Sequence, residues 1–357
     1  FKTLQEIMQN AARVLILATS RKTRGGITSV LKEHEQSRYW KEFRCRWLET
    51  HRDGNILVKI GYFLKSFVTY LFILPAYDLV HIHTSEPPSA LRKVCFALYA
   101  KLWRRKIIIH SHSFSTRTTI NGRFRPLYKI LIHCADKVVV LSQSIRAEYC
   151  QSIVPPEKAT VIYNPCVREY YPQRYTPQPQ ILFAGVINDR KGYKDLIRAF
   201  SLIADKHPGW QLVMAGSGET ETARQLAQEL GIADRIIFPG WIAGEAKDRC
   251  FQEASIFCLP SYAEGFPMAV LDAWSYNLPI VTTPVGGLPD VLVDGQNALV
   301  FNPGDYRKMA QELESLIESP ALRQQIARES HHLAETKFNI DTISDEIERL
   351  YLEVLKK

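Results

Sequence analysis

No C-x-x-C pair occurs in this chain, and its cysteines number seven. An odd count without paired spacing gives neither a disulfide framework nor a zinc-finger arrangement. A reducing, cytosolic compartment is therefore expected. A G-x-G-x-x-G run is also missing, which removes the dinucleotide fingerprint. Gly216-Ser217-Gly218 has no third glycine and no convincing acidic partner downstream, so it does not read as a dehydrogenase turn. There is no H-E-x-x-H, and no metal or cofactor is expected. The opening Phe1-Lys2-Thr3-Leu4-Gln5-Glu6 lacks the form of a signal peptide. The most apolar stretch, residues 60–74, holds Lys65 and is 15 residues long, whereas a spanning helix needs roughly 20. A helix packed on a sheet is the expectation there. The chain shows no internal repeat and no low-complexity tract.

What is present fits a globular protein of two domains. At 357 residues the chain is long for one core. Its 46% hydrophobic and 23% charged residues are ordinary for folded proteins. Charge divides unevenly: residues 1–170 carry a net +15 and residues 171–357 a net −7. A basic half suits nucleic acid, anionic lipid or a phosphorylated acceptor. No basic-aromatic nucleic-acid module accompanies it, so no nucleic-acid partner is expected.

Short apolar runs recur at 13–19, 78–83, 106–111, 137–141 and 160–163, and again at 180–185, 210–216, 235–238, 255–259, 279–283 and 297–301. Runs without alternation read as buried parallel strands. Helix-period segments between them, such as 27–38 and 89–104, predict an α/β fold with two doubly wound, Rossmann-like parallel sheets. Residues 164–180 hold Pro165, Pro172, Pro177 and Pro179, a linker composition. The predicted domains are 1–168, joined by a C-terminal helix at about 338–357, and 169–337. The tail after Asp305 is helix-periodic, with a stop at Ser319-Pro320.

Four places carry chemistry. Pro260-Ser261-Tyr262-Ala263-Glu264-Gly265-Phe266-Pro267-Met268-Ala269 runs from a strand into a helix start, with Asp272 one turn further on. The N–H groups of Phe266, Met268 and Ala269 can face an anion, and two carboxylates suit a ligand bearing hydroxyls. A plain acidic helix cap is the structural alternative. Gly185-Val186-Ile187-Asn188-Asp189-Arg190-Lys191-Gly192 follows a predicted strand and places two cations at a helix start, where Arg can fork onto phosphate; the alternative is a solvated basic turn. Gly25-Gly26 follows the first strand and permits close approach of a diphosphate, or is simply a loop. His81 and His83 end one strand, His110 and His112 another. Each pair shares a face and could donate hydrogen bonds, act as base or serve structure; His112, at the strand end, is the functional candidate.

Together these segments resemble the retaining GT-B nucleotide-sugar glycosyltransferases of glycosyltransferase family 4. The resemblance rests on Glu264-Gly265-Phe266, Arg190-Lys191-Gly192, Gly25-Gly26, Val161-Ile162-Tyr163-Asn164 and Val285-Gly286-Gly287-Leu288-Pro289-Asp290. It implies two domains facing across a cleft and a retaining hexosyltransferase using a nucleotide-sugar donor, UDP-linked on family frequency. Arg190 and Lys191 would hold the diphosphate with the Gly25-Gly26 backbone and Gly185 nearby. Glu264 would contact the transferred sugar, with the backbone from Gly265 and Phe266 through Pro267, Met268 and Ala269 beside it. His112 would lie near the anomeric carbon, and the base near Pro239-Gly240-Trp241-Ile242. The nucleotide-sugar is substrate rather than cofactor. Asp272 departs from the family's usual Glu by one methylene, and Asn164 is followed by Pro-Cys where the family has Gly-Val.

The implied acceptor is a glycan or a polyprenyl-diphosphate-linked sugar in polysaccharide biosynthesis. Residues 91–106, Leu91 through Lys106, mix six cations with apolar side chains. They read as a basic amphipathic helix for an anionic membrane surface, or as a sheet-covering helix with a solvated basic face. The expected location is cytoplasmic, peripheral on the inner face of the membrane. Another GT-B activity, such as sugar-nucleotide epimerase or phosphorylase, is the rival reading.

Overall fold

The computed structural model describes residues 12–112, 121–166 and 174–356. The opening hexapeptide, Pro172 and the expected junction at 168/169 lie outside them. The chain forms two compact units: one runs to Pro165 and resumes at Ile340, and the other is Cys166–Asn339.

In the first unit the order is β1 (Val14–Thr19), α1 (Gly26–Glu35), α2 (Arg38–Glu42), β2 (Arg46–His51), α3 (Ile56–Ile73), β3 (Leu79–Thr84), α4 (Pro87–Leu102), β4 (Lys106–Ser111), α5 (Arg125–Cys134), β5 (Lys137–Val140), α6 (Gln143–Ser152) and β6 (Ala159–Val161). All neighbouring strands pair in parallel, in the order β2-β1-β3-β4-β5-β6. Parallel strands covered on both faces need continuous apolar runs, and β3 is buried along its whole length. The strand that sequence patterning misses is β2. It is an edge strand with Arg46, Glu49 and His51 interrupting its apolar residues, so only Trp47 and Thr50 turn inward.

Two helices differ from expectation. The apolar run at 60–74 belongs to α3, which is 18 residues long and buries only Ser66 and Tyr70. It lies against β2 and α4, but most of its apolar side chains face outward. The segment 91–106 is not one basic helix. It ends as helix at Leu102, turns, and enters β4 at Lys106. Lys93 points inward and is 2% exposed, so the cations do not share one solvated face.

The second unit contains β7 (Gln180–Ala184), α7 (Tyr193–Ile203), β8 (Gln211–Ala215), α8 (Thr220–Glu229), β9 (Ile236–Gly240), α9 (Glu245–Glu253), β10 (Ile256–Leu259), α10 (Met268–Ser275), β11 (Ile280–Thr282), β12 (Leu299–Val300), α11 (Tyr306–Glu318) and α12 (Pro320–Thr336). Its parallel order is β12-β11-β10-β7-β8-β9. Pro239 is tolerated within β9 because that strand is an edge. Ser319 accepts a hydrogen bond from Leu322 N and Pro320 takes the first helical position, so the Ser-Pro pair both ends α11 and starts α12.

The last helix, α13 (Ile340–Lys356), belongs to the first unit. Its Ile343, Ile347, Leu350 and Tyr351 join Val14, Ile16, Ala18 and Phe43 in one buried cluster. Arg38 on α2 reaches Asp345 and Glu348 at 3.2 and 3.1 Å.

Candidate active site

In an open α/β sheet, ligands bind beyond the carboxyl ends of the strands where the strand order reverses. In the second unit, that point lies between β7 and β10, since β8 and β9 extend one way and β11 and β12 the other. The loop after β7 carries Gly185 to Gly192, and the loop after β10 carries Pro260 to Pro267.

The two loops interlock. Lys191 Nζ forms an ion pair with Glu264 Oε1, and Ser261 Oγ donates to the same oxygen at 2.7 Å. Arg190 Nη1 donates to Ala263 O at 2.8 Å and lies 3.5 Å from Glu264 Oε2. Glu264 is 6% exposed. A buried carboxylate is stable only when paired, and here two cations and a hydroxyl meet it. One net positive charge remains over the group. Asn188 accepts from Lys191 N at 3.1 Å, which fixes the short turn that presents both cations.

Close packing of backbone sets these positions. Gly192 has φ 70°, and a Cβ there would sit 2.0 Å from Pro260 O, so only glycine lets the start of α7 touch the second loop. Gly286 has φ 63°, and a Cβ would meet the carbonyl oxygens of Glu264 and Gly265 at 2.4 Å each. Gly287 N donates to Gly265 O at 2.7 Å. The segment 285–290 therefore backs the Glu264 loop. Gly185 lies beside the Lys191 side-chain stem, and Gly216 packs against Gly185 O.

Phe266 is 3% exposed and its ring meets Phe338 with centroids 5.2 Å apart, so this side chain serves the core. Pro267 precedes α10, whose first turn begins with Met268 and Ala269; first-turn N–H groups have no partner within their own helix. Asp272, on the same helix, pairs with Lys247 Nζ at 2.7 Å. Nothing in the sequence singles out Lys247. It lies on α9, a mostly polar helix with no motif to distinguish it. Trp241 and Ile242 follow β9 at the same edge of the sheet, and Trp241 is 50% exposed.

In the first unit the order reverses between β1 and β3. Gly25 and Gly26 lie at the start of α1, after β1, and a Cβ on Gly25 would meet nothing within 4 Å. On β3, on β4 and one residue beyond β4, the four histidines form one stack. Ring centroids are 4.5 Å apart for His81–His83 and His110–His112, 4.8 Å for His83–His110 and 5.2 Å for His83–His112. His83 Nδ1 and His112 Nε2 share a 3.0 Å hydrogen bond, and His81 Nδ1 shares one of 2.7 Å with Tyr351 of α13. Burial lowers the pKa of His81 and His112 to about 3 and holds His83 and His110 well below the usual value. All four rings are neutral near pH 7, so His112 acts as a hydrogen-bonding group rather than as a cation. Three of them, His81, His83 and His110, have nitrogens close together. Imidazole lone pairs lie in the ring plane, and near-parallel stacked rings aim them alongside one another instead of at one ion.

Comparison with known proteins covers both units. Residues 16–169 match the family model "Glycosyltransferase Family 4" and residues 172–332 match "Glycosyl transferases group 1". The chain is 26% identical over 316 residues to the capsular polysaccharide biosynthesis glycosyltransferase CapM of Staphylococcus aureus, covering 82% of each. It is 23% identical over 293 residues to N-acetyl-alpha-D-glucosaminyl L-malate synthase of Bacillus anthracis, covering 78% of this chain and 75% of that one. Among solved structures, Anabaena HepE in complex with UDP-glucose superposes with a TM-score of 0.78 at 18% identity, over 96% of this chain and 99% of that one. Sucrose-phosphate synthase from Thermosynechococcus elongatus gives 0.80 at 17% identity, over 97% and 99%.

Proposed function

This chain belongs to the GT-B glycosyltransferases of the family 4 type, and from that premise we propose that it transfers a hexose-type sugar from a UDP-sugar, with retention, to a glycan or lipid-linked acceptor in polysaccharide biosynthesis. The observation that carries the reading is the cationic pair Arg190 and Lys191, held by Glu264 at the switch point of the second sheet. The UDP assignment draws support from structural neighbours solved with UDP and UDP-glucose. The polysaccharide setting draws support from the relative CapM.

In this reading the bond between the anomeric carbon and the diphosphate breaks while an acceptor oxygen bonds to that carbon. Negative charge grows on the departing diphosphate, and Arg190 and Lys191 stabilise it where it develops. The departing phosphate oxygen takes the acceptor proton. Glu264 meets the sugar hydroxyls and keeps Lys191 in place. The Gly265–Ala269 backbone lies along sugar and phosphate, Asp272 faces the ribose, and the base lies near Trp241 and Ile242. In the first unit, Gly25-Gly26 and neutral His112 offer uncharged backbone and imidazole groups to substrate. No metal is needed, because two fixed cations supply the charge that a metal would bring. The residues before 166 serve the acceptor, which places the enzyme at the inner face of the membrane when that acceptor is lipid-linked.

A thermal-shift screen with UDP, GDP and ADP, followed by transfer assays with the matching sugars, tests this. UDP is expected to raise the melting temperature most. A response to GDP or ADP alone would overturn the donor assignment.

A further inference from the structure

Helix α3 leaves an apolar face uncovered. Leu57 is 75% exposed and Phe72 81%, and with Ile60, Leu64 and Val68 they recur at three- and four-residue spacing. That spacing makes one stripe. The span Ile56–Ala76 is 21 residues, long and apolar enough to cross a membrane by length and composition, with 11% buried. It does not read as a crossing segment, because the fold holds it. Tyr70 Oη donates to Phe96 O at 3.0 Å, Tyr99 Oη donates to Leu71 O at 3.2 Å, and Phe63 and Phe67 pack their rings on Phe96.

The neighbouring helix continues the surface. On α4, Leu91, Cys95, Leu98 and Leu102 are exposed at positions i, i+4, i+7 and i+11. Cys95 and Leu102 flank Tyr99, which touches α3, so the two rows adjoin. Exposed apolar faces of this kind mark interaction sites.

Charge identifies the partner. Neither 54–77 nor 87–106 contains an Asp or Glu. Lys65 is exposed beside the stripe on α3, and Lys101 and Arg104 close the end of α4 beside half-exposed Trp103. A surface with an apolar centre, a cationic border, an interfacial Trp and no carboxylate complements a layer of anionic headgroups over acyl chains.

We propose that the outer faces of α3 and α4 lie on an anionic lipid membrane, with the apolar rows at the headgroup–acyl boundary and Lys65, Lys101 and Arg104 on lipid phosphates. The inference rests on the lipid-linked reading of the acceptor and assigns the surface that reaches it.

The test uses the full chain with sedimenting vesicles of phosphatidylcholine alone, or of equimolar phosphatidylcholine and phosphatidylglycerol. The parent protein is expected to pellet with the anionic vesicles and to be released by salt. The triple variant Leu57→Glu, Leu64→Glu, Phe72→Glu and the double variant Lys65→Glu, Lys101→Glu are each expected to bind at least roughly tenfold more weakly. These exposed substitutions should leave the UDP thermal shift unchanged, which reports an intact fold and donor site. The proposal is overturned if the parent ignores anionic vesicles, or if both variants bind them as the parent does. It is equally overturned if the apolar variant dissociates a dimer in a sedimentation experiment while the parent shows no vesicle binding. Vesicle binding without a UDP response would leave the membrane surface standing and defeat the donor assignment instead.

Discussion

Lys191 and Glu264, 73 residues apart in sequence, form a buried ion pair at the carboxyl ends of β7 and β10. The pair ties the two loops at the switch point into one unit. In the proposed reaction it also gives Glu264 two tasks, contact with the sugar and orientation of the cation beside it. Substitutions at either residue therefore change both chemistry and local stability, and the measurements below separate these effects.

Arg190→Ala and Lys191→Ala are each expected to lower the transfer rate by roughly two to three orders of magnitude. Arg190 is partly exposed, so its loss should hardly move the melting temperature. Lys191→Ala removes the main partner of a buried carboxylate. Ser261 and Arg190 still meet Glu264, so the stability loss should be about 3 kcal/mol or less. Transfer assays beside calorimetry check both, and near-normal turnover in the two variants would sink the assignment.

Asp272 is the second carboxylate, and Lys247 holds it at 2.7 Å. Asp272→Asn should weaken UDP binding about tenfold, near the value of one charged hydrogen bond, with a smaller effect on the rate at saturating donor. Lys247→Met should shift UDP affinity in the same assay, because it frees the carboxylate to turn. Titration calorimetry measures both. Unchanged UDP affinity in the Asp272 variant would remove the ribose role.

Acid should destabilise the first unit. His34, His81 and His112 have pKa values lowered by burial to about 3 from an ordinary 6.5. Protons bind these groups more readily in the unfolded chain. Stability is therefore full above pH 6.5 and falls as the pH drops from 6.5 toward 3. Melting curves across that range should show the decline. His110→Asn, which removes one ring from the stack, should make it shallower.

Chelation should not slow the enzyme. In the proposed reaction Arg190 and Lys191 supply positive charge to the diphosphate, so transfer after EDTA treatment is expected to match the untreated rate. A rate restored only by added Mg²⁺ or Mn²⁺ would contradict this.

Much of the fold is legible in the sequence, because parallel strands buried on both faces must be continuous apolar runs. That rule finds β1, β3 and β4 and fails at β2, where an edge position lets Arg46, Glu49 and His51 enter the strand. A place between an apolar run and a helix start also marks Arg190, Lys191 and Glu264, yet nothing in the sequence states that Lys191 meets Glu264, since the contact is made by the sheet order. Lys247 carries no signal, being one polar residue on a polar helix. The run at 60–74 shows how apolar content and burial part company. The pattern gives an apolar helix, but which side the protein covers depends on where β2 and α4 lie. Lys93 is the converse case, a cation that its helix turns inward to donate to Thr50 Oγ1 at 2.5 Å.

The helix α13 is made after the whole second unit, yet it belongs to the core of the unit begun first. During synthesis, at roughly 5–20 residues per second, β1 to β6 leave the ribosome without Ile343, Ile347, Leu350 or Tyr351 to cover them. The second unit can close on its own chain while the first waits with an open sheet face and with His81 lacking its Tyr351 partner. Completion of the first unit thus waits until the residues beyond 340 have been made, and a chain truncated before residue 340 would hold a finished second unit and an unfinished first.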